Sequence, residues 1–262
     1  MPRFKLTLEY EGTRYRGWQI QKNARTVQGE IERALREALS LTTFEFQGAG
    51  RTDAGVHAIA QVAHLDADLT LQPGEMRDRL NEVLPPDINV LTVAPAHPRF
   101  HARHHARARS YLYQIACRRT ALAKRFVWWI NDPLNVAAMR QAASCFVGMK
   151  DLRSFTRDNP GEKSTLMFLS EFILHEAGDL ILVRVTGSHF LWNSVRRMVG
   201  ALVEVGRGNI AAGDLQELLR TDSDAMGKHT APPSGLFLEH IHYEGDPALH
   251  SVRPVFPLQT HF

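Results

Sequence analysis

Several things are scarce in this 262-residue sequence. It has two cysteines, Cys117 and Cys145, far apart and without CxxC or Cys/His ligand spacing. That argues against a disulfide-stapled secreted domain and against a zinc ribbon, and predicts reduced thiols in a cytoplasmic protein. No window holds eighteen consecutive apolar residues, so no membrane-spanning helix is expected. The opening Met1-Pro2-Arg3-Phe4-Lys5-Leu6 lacks the apolar core and small-residue cleavage site of a signal peptide. Acidic residues are missing altogether between Arg99 and Arg125. That stretch carries Arg99, Arg103, Arg107, Arg109, Arg118, Arg119, Lys124 and Arg125, interleaved with three histidines and two tyrosines. A solvated basic face is the plainer reading of a charge run. The complete absence of acids favours a phosphate backbone, with aromatic faces for bases. Net charge is only +3, but the sequence pI is about 9.0.

What is present suits a globular protein: 44% hydrophobic and 23% charged residues, in a chain long enough for one large domain or two smaller ones. Phe4 to Tyr10 alternates apolar and polar and predicts a strand. Thr26 caps a predicted helix with Val27, Ile31, Leu35 and Ala38 on one face. A second strand leads into Gly48-Ala49-Gly50, a third covers Gln61 to Leu65, a helix runs Pro73 to Leu84, and Ile88 to Val93 is strand-like. The order β-α-β-β-α-β is that of a ferredoxin-like split βαβ unit. Further on, Arg109 to Cys117 reads as a strand with Tyr111, Tyr113 and Ile115 on one face, and Val136 to Val147 as a helix. A hairpin turns at Gly178-Asp179, a helix runs Leu191 to Val205, another holds Gly213 to Leu219, and Leu236 to Tyr243 is a last strand. The expectation is an α+β protein of two ferredoxin-like (RRM-like) lobes with mainly antiparallel sheets: residues 1–105, residues 106–245, and a loosely packed extension, 246–262.

The informative segment is Gly48-Ala49-Gly50-Arg51-Thr52-Asp53-Ala54-Gly55-Val56-His57-Ala58. Three glycines permit tight backbone geometry and close approach of a ligand. A carboxylate two residues from a guanidinium, on a strand-to-strand loop, is placed for preorganisation. Spacing alone does not separate a catalytic Asp53 from one that ties its own turn through an Asx hydrogen bond, and it leans to the latter.

That string resembles the signature of the TruA-type tRNA pseudouridine synthases. Six further segments match that family's motifs in order: Glu9-Tyr10-Glu11-Gly12-Thr13 with Tyr15, Gly17-Trp18-Gln19 and Gln21; Thr26-Val27-Gln28; Phe100-His101-Ala102-Arg103; Arg109-Ser110-Tyr111-Leu112-Tyr113; Phe190-Leu191 with Val195-Arg196; and Pro233-Ser234-Gly235-Leu236. The resemblance spans Phe4 to Tyr243. It implies the pseudouridine synthase fold and isomerisation of uridine to pseudouridine in the tRNA anticodon stem-loop, at tRNA positions 38, 39 and 40. It also implies a homodimer and a reaction needing neither cofactor nor metal. Asp53 matches the family's catalytic aspartate. Tyr111 matches the first tyrosine of an R-x-Y-x-Y motif, whose ring stacks on the flipped base and whose hydroxyl assists proton transfer. Arg196 matches the arginine that the family pairs with its aspartate, and Arg51 the one associated with flipping the nucleotide. Arg103 and Arg109, in matched motifs within the acid-free stretch, are expected to bind RNA. Tyr113 is assigned to the core, His57 to a structural role, and Arg197 to the surface. His101, His104 and His105 fit a basic arm better than a metal site.

Two departures stand out. Lys150-Asp151-Leu152-Arg153-Ser154-Phe155 replaces the family's usual His-Asp-Phe type motif, and Trp192-Asn193-Ser194 stands where many members carry histidines and a methionine. Rival readings are an enzyme acting on another RNA, a non-catalytic RNA-binding module, and a glycosidase. The last lacks a second catalytic carboxylate in the signature.

Overall fold

A computed structural model of the chain describes residues 1–258. It is a mixed α+β protein whose backbone divides into two compact units, Met1–Arg107 with Phe237–Asp246, and Ala108–Leu236 with Pro247–Phe262. Among the described residues no helix is long and apolar enough to cross a membrane.

The first unit runs β1 (Arg3–Tyr10), α1 (Val27–Leu39), β2 (Glu45–Gly48), β3 (His57–Asp66), α2 (Pro73–Val83) and β4 (Ile88–Ala96). Its strands lie in the order β4-β1-β3-β2 with every neighbour antiparallel, which is the split βαβ arrangement that the element order predicts. The period-2 pattern of β1 is obeyed strictly: Phe4, Leu6, Leu8 and Tyr10 point into the core. Helix α1 begins where Thr26 Oγ1 accepts from Gly29 N at 3.3 Å and ends at Ser40, in the left-handed region. Its buried stripe is Val27, Ile31, Ala34, Leu35 and Leu39, with Leu39 filling the place predicted for Ala38. β3 is longer than its predicted core and has two partners on one edge. β2 pairs with its far end, from Ala63 to Asp66, and β10 (Leu236–His242) runs parallel to its first residues, with Phe237 opposite His57. Most of β10 thus belongs with this unit, whereas the sequence-based boundaries assign it to the second lobe.

The second unit contains β5 (Ala108–Ala116), β6 (Trp128–Trp129), α3 (Val136–Ala143), β7 (Gly148–Asp151), β8 (Leu166–Ala177), β9 (Leu180–Gly187), α4 (Ser194–Gly206) and α5 (Ala212–Leu218). Strands β5, β9, β8 and β7 follow one another antiparallel, and β6 lies parallel on β5. β5 and β9 are buried on both faces, so the single apolar face read from Tyr111, Tyr113 and Ile115 describes only half of their surroundings. The predicted helix to Val147 stops at Ala143 and continues as a 3-10 turn. β7, unforeseen in the sequence, starts at Gly148, whose φ is +95°.

The C-terminal segment is not a loose extension. Val252, Val255 and Leu258 pack on a core cluster of Leu112, Ala116, Ala123, Val127, Leu180 and Leu182. Phe256 stacks flat on Phe126 with centroids 4.3 Å apart, and Val255 N donates to Gln114 Oε1 at 2.7 Å. Buried Arg184 donates to Ser251 O at 2.6 Å. The segment covers one face of a strand that would otherwise expose apolar side chains to water.

Candidate active site

In the first unit Asp53 sits half-buried in the loop between β2 and β3. Backbone bonds hold the loop on every side. Val56 N donates to Asp53 O (3.1 Å), closing the turn, and Ala49 N to Val62 O (2.7 Å). Gly55 N donates to Tyr15 O (3.3 Å), and Trp18 N to Thr52 O (3.0 Å). The buried Thr52 hydroxyl lies 2.8 Å from Tyr10 Oη, at the end of β1, and Gln61 Nε2 donates to Gly50 O at 3.0 Å. Burial pushes the Tyr10 phenol pKa up, so it remains a neutral hydrogen-bonding group.

The opening motif and the signature therefore form one structure. Gly17 has φ of +95°, and a Cβ on it would meet Thr52 O at 2.6 Å, so only glycine lets the two segments touch. At Gly48 a Cβ would run into the Trp18 ring at 2.6 Å. Gly50 is different: it has open space around it and an ordinary φ, so the loop backbone does not require a glycine there. The same opening segment anchors α1, with Val27 N and Gln28 N donating to Gly17 O and Trp18 O at 3.1 and 3.0 Å. Burial and the neighbouring Asp87, to which it donates, raise the Tyr15 phenol pKa. His57 is structural: it is 1% exposed, its Nδ1 accepts from Gly12 N at 2.9 Å, and its ring stacks on Phe237 at 4.9 Å.

Arg51, on the same loop, is exposed. A polar cavity of about 490 Å³ opens against the loop, lined by Thr13, Arg14, Tyr15, Arg16, Ala54 and Gly55. The exposed Arg14 and Arg16 put two cations next to the carboxylate loop, and the sequence reading passed over them. Their signal was there: they alternate with Tyr15 and Gly17, which hold the loop's backbone.

In the second unit Tyr111 lies on β5, 8% exposed, with the Phe190 ring edge-on at 4.9 Å. Tyr113 is fully buried and donates to Pro232 O at 2.7 Å, and burial holds its phenol far above the usual tyrosine range. Arg109, on the same strand, donates to Ser188 O at 2.9 Å. Arg196 sits in the first turn of α4, half-buried. Its Nε donates to Ala231 O at 2.6 Å and its Nη1 to Asn193 Oδ1 at 3.1 Å, which fixes the guanidinium plane. Asn193 itself adopts φ of +61°, so the helix starts at Ser194 rather than Leu191.

Arg197 corrects the expectation of a surface residue. It is 5% exposed, donates to Thr156 O at 2.7 Å and pairs with Asp224 at 2.9 Å. α4 is buried almost all round, so adjacent arginines cannot both face water. The acid-free stretch also gains acids from elsewhere in the chain. Arg107 pairs with Glu244 at 3.0 Å and Arg118 with Asp179 at 2.6 Å, both bridges being exposed. Arg103, Arg119, Lys124 and Arg125 are exposed. His101 and His104 pack at 4.2 Å, and His101 Nδ1 accepts from the backbone of Arg103 and His104. Among the described residues no group of three or more His, Cys, Asp or Glu is arranged to hold a metal ion.

The family model described as "tRNA pseudouridine synthase" matches residues 7–105 and 142–244. Asp53, Arg51, Arg103 and Arg196 fall inside those segments; Tyr111 and Arg109 fall between them. The proteins named tRNA pseudouridine synthase A in Brucella ovis, Brucella canis and Brucella suis are each 42% identical to this chain over 249 residues, 93% of this chain and 98% of the relative. Among solved structures, a chain of a Cbf5-Nop10-Gar1 complex aligns with 12% identity and a TM-score of 0.33, over 76% of this chain and 54% of that one. Family match and identity both extend over most of the sequence, and the chain therefore belongs to the tRNA pseudouridine synthase A family of isomerases.

Proposed function

We propose that this chain isomerises uridine to pseudouridine in the anticodon stem-loop of tRNA, at positions 38, 39 and 40, with Asp53 as the catalytic carboxylate. The observation that carries the reading is the clamp on the Asp53 loop. Gly17, Trp18 and Tyr15 grip its backbone, so the main chain that carries the carboxylate is fixed without help from a ligand. In the reaction the bond from uracil N1 to the sugar C1′ breaks, the base turns, C1′ bonds to C5, the C5 proton leaves and N1 gains one. Positive charge grows at C1′ as the glycosidic bond lengthens, and an adjacent carboxylate stabilises or traps it. Nothing enters or leaves overall, so the proposal calls for no cofactor and no metal.

Tyr111 presents its ring to the flipped uracil, and its hydroxyl serves the proton transfer at C5. Arg196 is the cationic partner of the catalytic carboxylate, as the family resemblance implies. Arg51 takes the place of the extruded nucleotide, and Arg103 and Arg109 bind the RNA backbone. Two ferredoxin-like lobes and a homodimer in the cytoplasm complete the proposal, the dimer on resemblance alone. The test is incubation with unmodified tRNA followed by mapping of pseudouridine. Product at positions 38 to 40 supports the reading, and product elsewhere in the tRNA moves it to the rival enzyme with another target. Binding without product leaves the RNA-binding module.

A further inference from the structure

Trp192, in the short loop between β9 and α4, puts a large apolar ring in water, 49% exposed. A lone exposed aromatic means little. This one is built in. Its N–H donates to Asp158 Oδ2 at 2.8 Å, and its carbonyl accepts from Arg157 N at 3.0 Å and Thr156 Oγ1 at 3.1 Å. Thr156 O in turn accepts from the buried Arg197 at 2.7 Å, so the 156–158 segment is bolted to the first turn of α4. The Arg157 guanidinium lies over the indole, 4.5 Å from its centroid, and is itself exposed. Two residues before Trp192, Phe190 packs edge-on against Tyr111; one residue after it, Asn193 orients Arg196.

We propose that Trp192 and Arg157 form a fixed stacking platform for a nucleobase of the bound tRNA strand, with the Arg157 cation facing the adjoining phosphate. Every base has a π-face, so a rigid indole gains stacking energy with little loss of side-chain freedom. The guanidinium over the ring adds cation–π attraction and a charge for the backbone. Trp192 makes these hydrogen bonds through its own main-chain N–H and carbonyl, so they hold the residue in place without engaging the indole, whose exposed surface carries only the Arg157 cation among the contacts described. The proposal rests on the reading of the chain as a tRNA-modifying enzyme.

The experiment measures tRNA binding and turnover for the full chain and for Trp192→Ala, Trp192→Phe and Arg157→Gln. Trp192→Ala should weaken binding roughly 5- to 100-fold, the usual range for losing one stacked base, with the loss falling on KM more than on kcat. Trp192→Phe should restore most of the affinity, because a smaller ring still stacks. Arg157→Gln should flatten the slope of log affinity against log salt by roughly 0.7 to 0.9. Tryptophan emission should be quenched on adding tRNA to the parent chain and much less in Trp192→Phe. A Trp192→Ala chain that binds tRNA as tightly as the parent overturns the platform, and so does one whose loss lies wholly in kcat, with thermal unfolding unchanged in either case. A parent chain that isomerises uridine while those variants behave as the parent overturns the platform alone. A parent chain that binds no tRNA overturns both readings.

Discussion

The loop carrying Asp53 and the corner carrying Arg196 are held in opposite ways. The Asp53 loop is fixed by main-chain hydrogen bonds and by glycines that admit close contact, all between Tyr15 and Val62. Arg196 is fixed by its side chain, through a carbonyl 35 residues away at Ala231 and an amide on a left-handed Asn193. A site held by backbone writes itself into sequence as glycines and short ordered motifs. One held by side chains leaves an ordinary-looking arginine on a helix.

The largest effect expected is at Asp53 itself. Asp53→Asn keeps the shape and the loop's backbone bonds but removes the charge, and pseudouridine formation should fall by at least 10²- to 10³-fold, on the order of losing a principal transition-state interaction. Thermal unfolding should stay close to the parent's. Turnover within a few-fold of the parent would refute the assignment.

The glycines sharpen the comparison. Gly17→Ala places a methyl into Thr52 O and a non-glycine in the left-handed region, so it should cost about 1–3 kcal/mol of stability and most of the activity. Gly50→Ala, inside the signature, meets nothing and should shift stability by less than about 0.5 kcal/mol. Equal destabilisation at the two positions in thermal melts would mean that the clamp is not what holds the loop.

The two arginines of α4 should separate by kind of damage. Arg197→Ala removes the buried donor to Thr156 O and the partner of Asp224, and should cost roughly 1–3 kcal/mol of stability. Arg196→Lys loses the planar fork that meets Ala231 O and Asn193, and should reduce kcat more than stability. Melting and initial-rate measurements on both variants check this; a purely structural role for Arg196 would give it the profile of Arg197.

The last effect appears only on acidification. Burial first, then the charges of Arg3 and His101, lowers the His64 pKa from 6.5 to about 4, and its Nδ1 accepts from Ala102 N at 3.2 Å. Between those values the unfolded chain binds a proton that the folded chain does not. Stability from this source is therefore complete above pH 6.5 and drains as pH falls towards about 4, by up to about 1.4 kcal/mol per pH unit. His64→Asn, which keeps an acceptor but cannot titrate, should flatten that limb of the melting-temperature profile. An unchanged limb would assign the acid sensitivity to carboxylates such as Asp66, whose pKa Arg3 holds down and which act at lower pH.

Much was determined by the sequence alone. Period-2 alternation in β1 and the capped apolar stripe of α1 made the split βαβ order of the first unit readable, because one buried face leaves one clear pattern. The Asp53 loop stood out in the sequence by its glycines, of which Gly48 does admit a close contact, while its catalytic reading rested on the family resemblance. Tertiary structure alone decided the rest. It placed Arg197 inside, since a helix buried all round has no polar face for periodicity to mark. It supplied Glu244 and Asp179 to a stretch that has no acids of its own, and laid the proline-containing C-terminal segment on β5. These outcomes depend on which distant segments meet when the chain closes, and local pattern carries no record of a partner more than a few turns away.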